Sequence, residues 1–267
     1  MRVNTLICWT ILAVAVFPSS KSRAADLTPL ASAPSAVQTP SGWKFTLTPY
    51  FWATDLSGDV GHGRFPPVHI NADFGDLFDH LDFAAMVTGE ARYDRYSIFG
   101  DVIYTKLSMN ASTPRGIVAN NVDVDAKSFA GLIGVGYALI DQPNATLDIV
   151  GGARIWNVDT NFSLNGGIVG KVLGGFEGGL SQTWVDAMAG LRGNYFFTPE
   201  VFATGWGLVG GGGANVDWDV GGGLGYKFNN TISAVAGYRA LGVDYDRDNF
   251  LFDVVEQGPI VGLTIHF

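Results

Sequence analysis

Apolar and polar side chains alternate along most of the chain from Trp43 to the last residue, Phe267. In the first such stretch, WKFTLTPYFWA, Phe45, Leu47 and Phe51 share one face, and polar residues occupy most of the positions between them. A period of two residues is typical of a β-strand whose two faces meet different surroundings. The pattern therefore predicts an all-β protein.

Ten segments show this period, and most are long enough to cross a bilayer as a tilted strand, which needs roughly 9 to 11 residues. They cover residues 43–54, 83–94, 96–108, 124–140, 145–160, 180–196, 200–210, 216–228, 231–245 and 253–267. The connections after the second, fourth, sixth and eighth segments are short, whereas those after the first, third and fifth are long. We therefore expect a closed antiparallel transmembrane β-barrel of about ten strands, with eight and twelve as alternatives. Its short turns would be periplasmic and its long loops would face outward.

A soluble barrel of the lipocalin type would show the same period, because period two does not say which face is wet. Aromatic residues cluster near the predicted strand ends, such as Trp43 and Tyr195 at the short turns and Trp184 and Trp218 toward the long loops. Two such girdles are typical of the two membrane interfaces. After residue 24, no segment reaches 18 consecutive apolar residues, which excludes spanning helices and favours a membrane barrel.

The first 42 residues differ from the rest. Arg2 precedes an apolar run and a small-residue site ends at Ala24, so residues 1–24 are predicted to be a cleaved signal peptide. Cys8 lies inside this run, so the mature chain would have no thiol. Residues 25–42 contain three prolines and no apolar period, which predicts a flexible linker before a barrel at 43–267.

The chain is acidic. Its formal net charge is −9, and loss of the predicted signal peptide removes three basic residues and no acidic one, giving −12. Such a surface argues against nucleic acid as a partner. The expected partners are outer-membrane lipid, lipopolysaccharide and the barrel assembly machinery, while the oligomeric state stays open.

The end of the chain carries a resemblance. The alternating residues Val261, Leu263 and Ile265 followed by a terminal Phe267 resemble the signal by which bacterial outer-membrane proteins are recognised and inserted. Three longer stretches, beginning TPYFWATDLSGDVG, LDFAAMVTGEARYDRYSIFG and ISAVAGYRALGVDYDRDNF, resemble OmpA-like or opacity-like barrels of Gram-negative outer membranes. The resemblance implies a location in the outer membrane of a Gram-negative bacterium. It brings no shared catalytic residues, and the peptidoglycan-binding domain of OmpA is not expected here.

The polar faces of the predicted strands carry charges of both signs, which we expect to form a network inside the barrel. These residues are Lys44, Glu90, Arg92, Asp101, Asp148, Arg154, Asp186, Arg192, Asp217, Asp219, Lys227, Arg239 and Glu256. In a narrow barrel such charges must pair or be hydrated. Ten strands lie closer to barrels of about eight, which side chains fill, than to those of 16 to 18, which conduct. Inward glycines would leave a narrow channel unless Trp52, Trp156 or Trp206 fills the space.

The first long loop contains FGDLFDHLDF, in which apolar residues recur at helical spacing. The pattern predicts a short amphipathic helix that either plugs the barrel mouth or covers its rim. Its apolar residues are Phe74, Leu77, Phe78 and Leu81.

The sequence does not predict an enzyme, a cofactor or a metal site. Gly205-x-Gly207-x-x-Gly210 has no helix after it to receive a phosphate, and the stretch from Asp244 to Asp248 lacks the glycine and the glutamate of a calcium loop. Some small outer-membrane barrels hydrolyse or transfer lipid acyl chains with Ser and His. The four histidines are His62, His69, His80 and His266, and no local signature identifies a serine beside them. We expect an envelope protein with a structural or surface role, or a narrow passive channel, with a lipid-modifying hydrolase or acyltransferase as the alternative.

Overall fold

The computed structural model describes residues 42–63, 66–111, 121–165 and 176–267, which form twelve β-strands and one short helix. The predicted signal peptide and nearly all of the predicted linker lie outside these residues. In chain order the elements are β1 (Trp43–Trp52), β2 (Asp55–His62), β3 (Val68–Ala72), α1 (Phe74–Asp79), β4 (Leu81–Tyr93), β5 (Tyr96–Ala111), β6 (Asn121–Gln142), β7 (Ala145–Asn165), β8 (Phe176–Phe196), β9 (Val201–Gly212), β10 (Val216–Lys227), β11 (Ile232–Arg247) and β12 (Phe250–His266).

Ten of these strands close an antiparallel barrel, which confirms the predicted fold class and strand number. β1 and β4 to β12 follow one another around the wall, and β1 pairs with β12 to complete it. The two other strands extend the wall within the predicted first loop. β2 continues along β12 beyond the end of β1, and β3 folds back on β2.

The observed strands on one side of the barrel are longer than the predicted ones. β6, β7 and β8 have 22, 21 and 21 residues, whereas β9 and β10 have 12 each. The residues by which β6, β7 and β8 exceed the prediction are largely polar, so the alternation of apolar and polar residues that predicts a strand is weak there. The hydrogen-bonded ladder nevertheless continues, for example where Asp123 pairs with Ser163. The barrel therefore has a short-turn end and a long-loop end, and the wall at the long-loop end is uneven in height.

Large apolar side chains cover the outside of the wall. Ile133, Val209 and Leu224 each expose 60% or more of their surface, and most other outward positions are also apolar. A continuous exposed apolar belt is what a transmembrane barrel presents to lipid. At the short-turn end this belt ends in exposed aromatic pairs, including Trp43 with Tyr93 at 5.3 Å between ring centroids. One predicted member of the opposite girdle is wrong, because Trp184 is buried inside the barrel.

No helix among the described residues is long and apolar enough to span a membrane.

Candidate functional site: the barrel interior

The interior of the barrel at the long-loop end is filled by apolar side chains, which we call the aromatic layer. Its members are Trp52, Trp156, Trp184, Leu241, Val243, Tyr245, Phe250, Phe252 and Val254. The rings of Trp184 and Tyr245 stack with their centroids 4.3 Å apart, and Trp156 stacks on the other side of this pair, 5.8 Å from Trp184. Close packing of this kind leaves little space for a continuous path of water.

Below the aromatic layer lies a network of buried ion pairs, which we call the charged layer. Arg154 donates from Nη1 to Asp217 and from Nη2 to Asp219, both at 2.6 Å. Arg239 donates from Nη2 to Asp219 at 2.6 Å and to Asp101 at 2.7 Å. These five side chains are at most 11% exposed, so each charge depends on its partners rather than on water.

Two tryptophan side chains join the charged layer to the apolar side chains around it. Trp156 donates from Nε1 to Asp217 at 2.9 Å, and Trp206 donates from Nε1 to Asp219 at 2.8 Å. The ring of Trp206 lies over Gly221, where any Cβ would collide with it. Trp206 thus takes up the space that this glycine would otherwise leave open.

A second ion-pair cluster lies nearer the short-turn end. Arg92 pairs with Asp148 through both terminal nitrogens and donates from Nε to Glu90 at 2.9 Å. Arg192 donates from Nη2 to the other oxygen of Glu90 at 2.8 Å, and its guanidinium lies over the Phe99 ring at 4.4 Å. Glu90 therefore links two arginines on different strands.

Four of the thirteen predicted network residues have no place in either ion-pair cluster, and one of them, Lys44, is exposed at the short-turn rim. The side chains of Lys44 and Lys227 make no hydrogen bond or ion pair among the described residues, and the same holds for the side chain of Glu256, which faces inward beside Val254. Asp186 is fully buried, and it accepts a hydrogen bond from the backbone N–H of Ala214 at 2.7 Å. The other nine residues form the charged layer and the second cluster.

A cavity of about 660 Å³ occupies the interior between the charged layer and the short-turn end. We call it the short-turn cavity. Trp206, Asp219 and Arg239 line its inner end, while Lys44 and Phe267 line it at the rim. It is thus bounded by the charged layer on one side and reaches the rim on the other. Phe202, an aromatic residue near the short turns, also lines this cavity.

The short-turn cavity contains a serine and a histidine in contact. Ser233 Oγ lies 2.9 Å from Nε2 of His266. Sequence reasoning missed this pair because the two residues lie on neighbouring strands, 33 positions apart, and neither belongs to a local motif. Among the described residues no carboxylate hydrogen-bonds to His266, the position that an orienting carboxylate takes in a catalytic triad.

The predicted helix of the first loop is α1. The ring of Phe74 meets that of Phe51 edge-on at 5.8 Å, and Phe51 is an outward-facing residue of β1. Phe78 is 54% exposed, and Leu81 begins β4 instead of extending the helix. Of the two positions that the sequence leaves open for this helix, these contacts favour the rim over the lumen.

The residues of the resembled assembly signal lie on β12. Val261 and Leu263 face outward and are 57% and 45% exposed, and Ile265 pairs with Leu47 of β1. The backbone N–H of Phe267 donates to the carbonyl of Phe45 at 2.9 Å. The strand whose end resembles this signal is therefore also the strand that closes the barrel.

The other sequence motifs have structural roles. His69 lies 3.0 Å from Asp59, and His80 contacts the carbonyl of Asp76. Asp248 and Asn249 have positive φ and form the tight turn between β11 and β12, which excludes a calcium loop there. No group of three or more potential metal ligands occurs among the described residues.

No protein-family model matches the chain. No curated protein matches it either. Solved structures do. The outer membrane protease OmpT from Escherichia coli aligns over 87% of this chain and 99% of its own, with a TM-score of 0.53 and 10% identity. The translocator domain of the autotransporter NalP from Neisseria meningitidis aligns over 86% and 90%, with a TM-score of 0.45 and 16% identity. Ail, the attachment invasion locus protein of Yersinia pestis, aligns over 85% and 99%, with a TM-score of 0.38 and 13% identity.

The first of these likenesses shows the fold: the chain is a β-barrel of the bacterial outer-membrane type, as its sequence resemblance implies.

Proposed function

We propose that this protein is a non-conducting barrel of the Gram-negative outer membrane, with a structural or surface role in the envelope. The exposed apolar belt and the aromatic girdle at the short-turn end support insertion in a bilayer. The single observation that carries the non-conducting role is the filled interior, in which the aromatic layer and the charged layer lie one above the other.

The two layers oppose conduction for different physical reasons. An ion that passes the aromatic layer would lose its hydration shell among side chains that offer almost no polar replacement. An ion that passes the charged layer would have to separate arginines from aspartates that satisfy each other in a buried setting. We therefore do not favour the narrow passive channel that the strand number and inward glycines leave open.

Planar bilayer recordings test this proposal. The purified full chain should give no discrete conductance steps, even at high protein load. A variant with Trp156, Trp184 and Phe252 all replaced by Ala, checked for folding by heat-modifiable gel mobility, should give more frequent openings. Regular steps from the unsubstituted protein would overturn the closed-barrel proposal.

A lipid-modifying hydrolase or acyltransferase is the second candidate, and the Ser233–His266 contact favours it. In this reaction His266 would take the proton of Ser233 while Oγ attacks an ester carbonyl, and the alcohol would leave with that proton. Water or a second alcohol would then release the acyl group from the serine. The absence of an orienting carboxylate among the described residues makes this the weaker candidate.

Lipid analysis separates the two proposals. An enzyme predicts a change in phospholipid or lipid A on expression of the protein, detected by mass spectrometry and abolished by Ser233→Ala. A closed structural barrel predicts the same lipids with and without the protein, and an altered envelope permeability when its gene is deleted.

A further inference from the structure

The short-turn cavity differs in charge from the rest of the protein. The chain as a whole carries −9, but the charged side chains that line the cavity outside the charged layer are four cations and one anion. They are Lys44, Arg92, Arg192, Lys227 and Glu90. A concave site with a positive balance concentrates anions, since low-dielectric walls focus its field.

Part of this positive charge has no partner among the residues that the structure describes. Arg92 is used by Asp148 and Glu90, but Arg192 reaches Glu90 through Nη2 only. Its Nη1 is buried and has no hydrogen-bond acceptor among the described residues. Lys44 and Lys227 are likewise without ion pairs there. Arg192, Lys44 and Lys227 thus place positive charge at the cavity that the described residues do not fully neutralise, and a bound anion would be stabilised by it.

The walls of the same cavity are partly apolar. Phe99, Leu132 and Leu208 line its inner part, and Phe196 and Phe202 lie together at 5.1 Å between ring centroids. Threonines and asparagines line it as well. Apolar walls with a few convergent polar groups, in a volume of roughly 300 to 1,000 Å³, are typical of small-molecule sites.

We propose that the short-turn cavity binds a small organic carboxylate with an aromatic or short aliphatic body. The carboxylate accepts from Arg192 and the two free lysines, and the apolar body packs against the phenylalanine and leucine side chains. A carboxylate carries its charge on one small group, so it can pair with these cations while the rest of the molecule packs against the apolar walls. Since the charged layer bounds the inner end, the ligand enters and leaves at the short-turn end. This role goes beyond the envelope function proposed above and does not depend on it.

Calorimetry with 2-naphthoate tests the inference, using the full chain in nanodiscs so that no detergent competes for the site. We expect saturable binding at one site per barrel, and clearly weaker binding of 2-naphthalenemethanol, which has the same rings and no charge. Equal affinity for the acid and the alcohol, or no saturable binding of the acid, would overturn the proposal.

Substitutions locate the site. Lys44→Gln combined with Lys227→Gln should raise the Kd for naphthoate at least about fivefold, and Arg192→Gln at least about tenfold, because a charge-assisted hydrogen bond is lost. Lys127→Gln is the matched control, since Lys127 is exposed on β6 away from the cavity. Heat-modifiable gel mobility verifies that each variant is folded. If the double lysine variant, which leaves every ion pair of the interior in place, binds as tightly as the control, the cavity is not the site.

Discussion

Replacing Arg154 with Met removes a guanidinium from the charged layer but keeps much of the side chain's volume. Arg154 is 1% exposed, and its partners Asp217 and Asp219 are 0% and 1% exposed. Among the described residues, Asp219 would keep Arg239 and Trp206 as donors, whereas Asp217 would keep only Trp156. Breaking a buried ion pair and leaving one charge uncompensated costs about 3–5 kcal/mol, so we expect a loss of that size in the free energy of unfolding.

Urea titration of the barrel reconstituted in lipid bilayers measures this loss, with tryptophan fluorescence and gel mobility as independent probes. Adding Asp217→Asn to Arg154→Met removes the stranded charge and should recover at least about 1 kcal/mol, because residues in one network are coupled. Lys106→Met is the control: Lys106 pairs with Asp82 at 2.7 Å in an exposed position, so its loss should have no measurable effect.

Two results would refute this reasoning. If Arg154→Met were no more destabilising than Lys106→Met, the charged layer would not be buried as described. If Asp217→Asn simply added its own cost to that of Arg154→Met, the two residues would not depend on each other.

Three further outcomes follow from the packing of the barrel. Leu241→Ala leaves a cavity in the aromatic layer and should lower the free energy of unfolding by about 2–5 kcal/mol in urea titration. Leu263→Ala on the lipid face should lower it clearly less. Equal losses of unfolding free energy would contradict the assignment of inward and outward faces. Gly210→Ala places a Cβ against the backbone carbonyl of Ala187 and should lower the yield of folded barrel on refolding, while an unchanged yield would show that the strands can separate there. Phe267→Ser should reduce the amount of heat-modifiable protein in outer-membrane fractions without affecting refolding of the purified chain into lipid, and normal amounts would argue against an assembly signal.

Much of the wall of this barrel could be predicted from its sequence. Most outward side chains of each strand are apolar, and most of the inward side chains are polar or small, so the two faces alternate in the sequence. Residues such as Leu47 and Val261 reveal their face through the period of two alone. The alternation fails only where both sides meet a similar medium. In β6 to β8 that happens beyond the apolar belt, where both faces are polar, and the predicted strand ends fall short there.

The interior was less predictable, because its geometry depends on contacts between strands that lie far apart in the chain. Trp184 faces inward and Val185 faces outward, but both are apolar, so the sequence does not show which of them faces lipid. The assignment of Trp184 to the girdle was wrong for this reason. The same limit applies to Ser233 and His266, which meet only because β11 and β12 are paired in this register. Charge on the polar face of a strand likewise does not say which side chains will pair: Arg154 pairs with Asp217 and Asp219, which lie more than 60 positions away in the chain.

The uneven height of the barrel wall determines which part of the protein an approaching macromolecule would contact first. β6 is ten residues longer than β10, and at about 3.3 Å per residue and a tilt of about 40° the added length raises that side by roughly 25 Å. In the orientation that the sequence predicts, with the short turns in the periplasm, this higher side of the wall would project beyond the outer lipid headgroups. A large object that approaches the cell, such as an antibody or a phage tail, would thus touch the tips of β6, β7 and β8 first.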